Sequence, residues 1–138
     1  MRNRRNITRA AAILFGMAVS MGASASCQDA KSVAAPETVI ISFHAEQGAE
    51  SDLQRMIAEH WTVARRLNLV RESPRVTLRG TEQGDRVYFV DIFTWRDAAI
   101  PDAAPQEIRK IWDQMNRLAE ARGGQTGLSL AAVSLLEP

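Results

Sequence analysis

The chain has 138 residues, 46% of them hydrophobic and 24% charged, which fits one domain plus a targeting segment and contains no apolar run of the roughly 18 residues a membrane span needs. Its formal charge of +1 is unevenly placed. Arg2, Arg4, Arg5 and Arg9 all lie in the first ten residues, so without residues 1–27 there remain 13 basic against 16 acidic groups, a formal −3. A mildly acidic domain with scattered arginines has no electrostatic footprint for nucleic acid.

The N-terminus has the three parts of a secretory signal. Met1 to Arg9 is polar and basic, Ala10 to Met21 is apolar and uncharged, and Gly22 to Ser26 is all small residues. Residues 1–26 are therefore read as a signal peptide, and the protein as exported: periplasmic, envelope-anchored or extracellular. Cys27 is the only cysteine, so no internal disulfide can form. Its place after the small-residue segment resembles that of a bacterial lipoprotein, where the first mature cysteine carries lipid. The position three residues earlier, usually Leu, is here Ser24. Two readings stay open: lipid attachment at Cys27, which is the only membrane association expected, or ordinary cleavage near Ala25. Residues 27–37 are polar and Ala-rich, end near Pro36, and read as a flexible tether.

From residue 38 onward the pattern is that of one domain, 38–138. Thr38 to Ala45 is rich in β-branched residues and predicts a strand, with Val39, Ile41 and Phe43 on one face and Ile40, Ser42 and His44 on the other. Ser51 and Gln54 match a capping box and predict a helix starting there and running to about Asn68. Its apolar stripe is Leu53, Met56, Ile57, His60, Trp61, Ala64 and Leu67. Arg75 to Thr81 and Arg86 to Trp95 predict two strands joined by the polar hairpin loop Glu82-Gln83-Gly84-Asp85. The second of these is apolar on both faces, which implies cover on both sides. Pro105 suits a helix start. Ile108, Ile111, Trp112, Met115, Leu118 and Ala119 continue that helix as a stripe, and Gly123-Gly124 is expected to end it. Thr126 to Leu136 predicts the last strand.

The order β-α-β-β-α-β specifies an α+β, ferredoxin-like fold: a four-stranded antiparallel sheet with two helices on one face. The other face carries Ile40, Val90 and Ile92 and is too apolar to stand in water, so a homodimer packed sheet to sheet is expected.

His44 lies on the face of Ile40 and Ser42. If that face borders a cavity, an imidazole there could move a proton or bind haem iron; otherwise it is a strand-end histidine near solvent. His60 falls on a helix's apolar stripe and reads as a core histidine hydrogen-bonded to backbone. Asp91 interrupts an apolar strand, which makes it either a general base in a pocket or half of a structural pair. Arg79 is its expected cross-strand partner. Tyr88 could present its hydroxyl to a cavity. Neither histidine has zinc-site spacing, and no metal is expected. There is no phosphate loop and no flavin or nicotinamide fingerprint.

Residues 38–138 resemble the dimeric α+β barrel superfamily, and most closely its antibiotic biosynthesis monooxygenase branch. The resemblance rests on the element order, on Tyr88-Phe89-Val90-Asp91-Ile92-Phe93-Thr94-Trp95, and on Asp97-Ala98-Ala99 after it. The histidine the family often carries next is absent from Ile100-Pro101-Asp102-Ala103-Ala104. The resemblance implies a dimeric barrel and a cofactor-independent, monooxygenase-like enzyme acting on a small hydrophobic or aromatic molecule. His44 and Asp91 are then the catalytic candidates, and Arg79, Tyr88 and His60 the pocket candidates. The alternative it leaves is a non-catalytic haem or small-molecule binding and dimerisation module.

Overall fold

The computed structural model describes residues 34–73, 75–124 and 127–136. The expected signal peptide, Cys27 and the expected tether up to residue 33 lie outside the described residues. Among the described residues no helix is long and apolar enough to cross a membrane.

The elements run β1 (Glu37–His44), α1 (Glu50–Arg66), β2 (Val76–Glu82), β3 (Arg86–Trp95), a short 3-10 turn (Pro101–Ala103), α2 (Gln106–Leu118) and β4 (Leu128–Val133). The strands form one antiparallel sheet in the order β2-β3-β1-β4. This is the ferredoxin-like arrangement, and the two most apolar strands of the sequence are the central pair.

Strand alternation divides the sheet into two faces. Toward the helices, Val39 stands opposite Phe93 and Phe43 opposite Phe89. All four are buried, together with Trp95. Leu53, Met56 and Ile57 of α1 and Ile108, Ile111 and Met115 of α2 close on them. The predicted stripes are thus the buried ones. On the open face, Ile40, Val90 and Ile92 are half-buried, and Val76 and Leu78 of edge strand β2 are exposed. Here Tyr88 lies across its neighbour Gly80: a Cβ at Gly80 would sit 2.2 Å from the Tyr88 ring. The glycine leaves the room the ring fills.

Strand β4 ends at Val133, short of the expected Leu136, and three helix boundaries differ from expectation, each for a tertiary or backbone reason. Ser51 does not cap α1; the helix opens at Glu50 after Ala49, with no side-chain cap. Gly48, at φ +88°, turns the chain into the helix earlier, and its amide donates to Glu50 Oε1 at 3.1 Å. Glu50 and Asp52 then place negative charge at the helix N-terminus. At the other end α1 stops at Arg66, because Asn68 takes a left-handed conformation (φ 57°) that Asn tolerates well. Helix α2 stops at Leu118, before the glycine pair. Ala119 bridges Ala45, and the Glu120 amide donates to the His44 carbonyl at 2.7 Å. Pairing with the end of β1 replaces the last helical turn.

That pairing also explains where β4 begins. Gly127 accepts from the His44 amide at 3.1 Å, and a Cβ there would stand 1.8 Å from the Glu120 carbonyl oxygen. Two backbone stretches are pressed together, and only glycine fits between them. Gly127→Ala is expected to cost about 1–3 kcal/mol by overpacking, read as a lower urea midpoint. An unchanged midpoint would show that the 119–127 segment yields freely.

Candidate functional site

An apolar cavity of about 200 Å³ lies between the helix-side face of the sheet and α2. β1 contributes Ile41 and Phe43, β4 contributes Leu128 and Leu130, and α2 contributes Trp112 and Met115. Pro101 and Asn116 stand at its edge, and His60 reaches it from α1. Leu130 opposes Ile41 in the register, yet it is 54% exposed. It sits at the mouth, where the helices no longer cover edge strand β4.

His60 is the one ionisable group on this wall among the described residues. Its Nε2 meets Trp112 Nε1 at 3.1 Å. An indole N–H only donates, so Nε2 accepts and must hold a lone pair. The ring is therefore neutral, with its proton on Nδ1. Burial, and secondly the positive charge of Arg75, push its pKa down to about 4. The expected backbone partner is replaced by a side chain 52 residues away. Around this pair stands an aromatic cluster. Trp95 meets Phe93 edge-on at 4.9 Å and Trp112 at 6.3 Å. Trp95 Nε1 is the one fully buried side-chain polar atom without a hydrogen-bond partner among the described residues.

The other four sequence candidates do not gather around this cavity. His44 lies on the open face, opposite Tyr88 in the register. Their rings are 6.1 Å apart. His44 Nε2 pairs with Glu82 Oε1 at 2.9 Å, and Glu82 Oε2 accepts from Arg122 at 2.8 Å. The Arg122 hydrogen bond, with His44 on the other oxygen, holds the Glu82 carboxyl below the usual carboxylate range. Glu120 takes both Arg86 and Arg122 as ion-pair partners. The result is a charged cluster at one end of an otherwise apolar face.

Asp91 points to the helix side and is 1% exposed. The expected pairing with Arg79 does not occur, because Arg79 stands opposite Phe89 and Thr77 opposite Asp91. Arg79 is thus one diagonal step away on the same face and is exposed. The Thr77 hydroxyl donates to Asp91 Oδ1 at 2.6 Å, and Arg75 Nε reaches the same oxygen at 3.3 Å. Arg75 in turn lies 4.7 Å over the Trp61 ring. Asp91 does not line the apolar cavity, and its partners make it a structural pair. Among the described residues no three His, Cys, Asp or Glu side chains gather to hold a metal ion.

Sequence reading did not single out Trp112, Glu82, Arg122, Arg75 or Thr77 as polar partners. Only the Trp112–His60 pair left a trace, since both residues fall on the apolar stripes of helices expected on one face of the sheet.

The sequence matches no family model, and no curated protein matches it. Solved structures do share its fold. SnoaB, a cofactor-independent oxygenase from Streptomyces nogalater, superposes with a TM-score of 0.56 at 16% identity, over 76% of this chain and 97% of that one. An antibiotic biosynthesis monooxygenase superposes at 0.54 and 16% identity, over 73% and 99%. A dimeric ferredoxin-like protein of unknown function from a Jannaschia species superposes at 0.53 and 16% identity, over 72% and 99%. The chain therefore has the fold of antibiotic biosynthesis monooxygenase-like, ferredoxin-like proteins.

Proposed function

We propose that this chain is an exported, monooxygenase-like domain that takes a small hydrophobic or aromatic molecule into the cavity between α2 and the sheet, and that works as a homodimer. The observation that carries the reading is the cavity itself: apolar walls, one neutral imidazole, and a mouth at Leu130. Its volume suits a single-ring molecule, since a dry apolar cavity of about 150 Å³ can hold benzene. A second copy of the chain over Ile40, Val90 and Ile92 would remove the open face from water, and one structural neighbour is a dimeric ferredoxin-like protein. Export rests on the basic, apolar and small-residue segments of residues 1–26, and lipid attachment at Cys27 would tether the domain to the envelope.

One observation favours a binding module over an enzyme. Trp112 occupies the lone pair of His60, and among the described residues no other ionisable side chain lines the cavity. Among the described residues the cavity thus offers no free base, and His60 offers no lone pair to haem iron, so haem is left out of this cavity.

Toluene is the simplest probe. Titrated into the labelled protein, it is expected to give saturable NMR shifts at Met115, Leu128 and the Trp112 indole. Leu130→Trp, which bulks up the mouth without entering the core, should abolish them. Shifts that never saturate, or that survive Leu130→Trp unchanged, would remove the cavity as the site. Oxygen uptake with the bound natural ligand would then separate enzyme from binding module.

A further inference from the structure

We infer that the cavity selects ring compounds bearing a carbonyl oxygen, which His60 Nδ1–H binds as a hydrogen-bond donor, and that Trp112 is the positioning residue that sets this polarity. The inference rests on the proposal that the cavity is a ligand site, and it names the ligand class.

The argument starts from the indole. Trp112 Nε1–H can only donate, and it stands 3.1 Å from His60 Nε2. A histidine free to choose could offer either a lone pair or a proton at each nitrogen. Here the choice is made: Nε2 accepts, so the neutral ring carries its proton on Nδ1. His60 is 2% exposed, and that residue borders the cavity. The hydrogen bond from Trp112 is the ring's only one among the described residues. Yet Nδ1 is not among the polar atoms sealed in protein without a partner, a state that among the described residues only Trp95 Nε1 shows. An Nδ1–H with no protein partner needs open space beside it, and the space His60 borders is the cavity.

A donor at an apolar wall discriminates in one direction. A ligand that offers an oxygen lone pair satisfies it; a hydrocarbon of the same shape leaves it unpaired. Leaving a buried donor unpaired is the costly outcome. Charged ligands are disfavoured on both sides, because among the described residues no opposite charge lines the walls and burial penalises the ion. Neutral ketones, quinones and aryl carbonyl compounds of one ring remain. Asn116 stands at the rim, and its amide can serve a second polar substituent.

Acetophenone and α-methylstyrene form a matched pair, with C=O in one where the other has C=CH2. In NMR titrations of the full chain, acetophenone is expected to bind about fivefold to tenfold more tightly, the worth of one buried neutral hydrogen bond. Trp112→Phe keeps the apolar wall but frees Nε2, and the ratio should fall below about twofold. The 15N spectrum of His60 in the unliganded wild type reads the tautomer without any ligand or variant, and the proton is expected on Nδ1. A proton found on Nε2 overturns the inference. Equal affinity for the two compounds also overturns it while leaving the cavity as a ligand site. Failure of both to bind, with toluene also silent, overturns the site and this inference together.

Discussion

Between pH 7.0 and pH 4.5 the wild-type protein is expected to lose about 2 kcal/mol more stability than its His60→Gln variant. In the unfolded chain the imidazole titrates near 6.5, whereas in the fold burial and the Arg75 charge lower it to about 4. Above pH 6.5 the ring is neutral in both states and titration adds nothing. Below 6.5 the unfolded chain takes up a proton that the folded one refuses, so stability falls steadily as pH drops toward 4. Below 4 both states hold the proton and the slope from this group vanishes. Gln can still accept from the Trp112 indole but has no charge to gain, so its curve should be flatter throughout the window. The contribution of Glu82, whose pKa is lowered, is lost mainly below the ordinary carboxylate value of 4.5 and leaves this window nearly clean. Urea unfolding at both pH values and one protein concentration reads the difference. Parallel curves for wild type and variant would mean that His60 is protonated in the fold. The donor–acceptor assignment with Trp112 would fall with it.

Asp91→Ala is expected to destabilise the domain by about 3 kcal/mol, and Asp91→Asn by about half that. Asp91 is the buried carboxylate of β3, and its Oδ1 receives both the Thr77 hydroxyl and Arg75. Alanine removes that acceptor, leaves Arg75 without its partner and opens a small void on the helix side of the sheet. Asparagine keeps an acceptor oxygen and loses the charge. The Arg75 side chain retains 22% exposure, so its guanidinium can turn partly to water, which keeps the loss below that of a fully sealed pair. Chemical denaturation gives the energies, and toluene binding serves as a second readout. Binding should persist in Asp91→Asn, because the ion pair lies away from the cavity. Loss of binding in a folded Asp91→Asn protein would return Asp91 to the site.

Much of the fold could be read before the structure, because the relevant signals are local. A side-chain period of two in residues 39–43 and 87–95, and of three to four in 53–64 and 108–115, assigns strand, helix and buried face within each segment. Element order then leaves few arrangements, and the ferredoxin-like one is observed. The apolar character of both faces of β3 was equally legible, and with it the open face that asks for cover.

The site was legible only as a set of unusual residues. His44, His60, Asp91, Arg79 and Tyr88 each stand out by type against their neighbours, but period says which face a residue takes and not what it meets there. The hairpin register depends on how many residues the turn absorbs. With Glu82 opposite Arg86, Thr77 and not Arg79 falls opposite Asp91. The ends of α2 and β4 depend on backbone pairing with β1, which overrides the glycine pair as a stop signal. The His60–Trp112 bond joins two helices that only the packed sheet brings within reach. By itself the sequence determined the elements, their faces and their order, because those follow from local sterics and burial. The tertiary structure alone decided which candidates share a site, separating His44 and Tyr88 on the open face from His60 in the cavity. Contacts between distant residues are set by register and packing, which no single segment encodes.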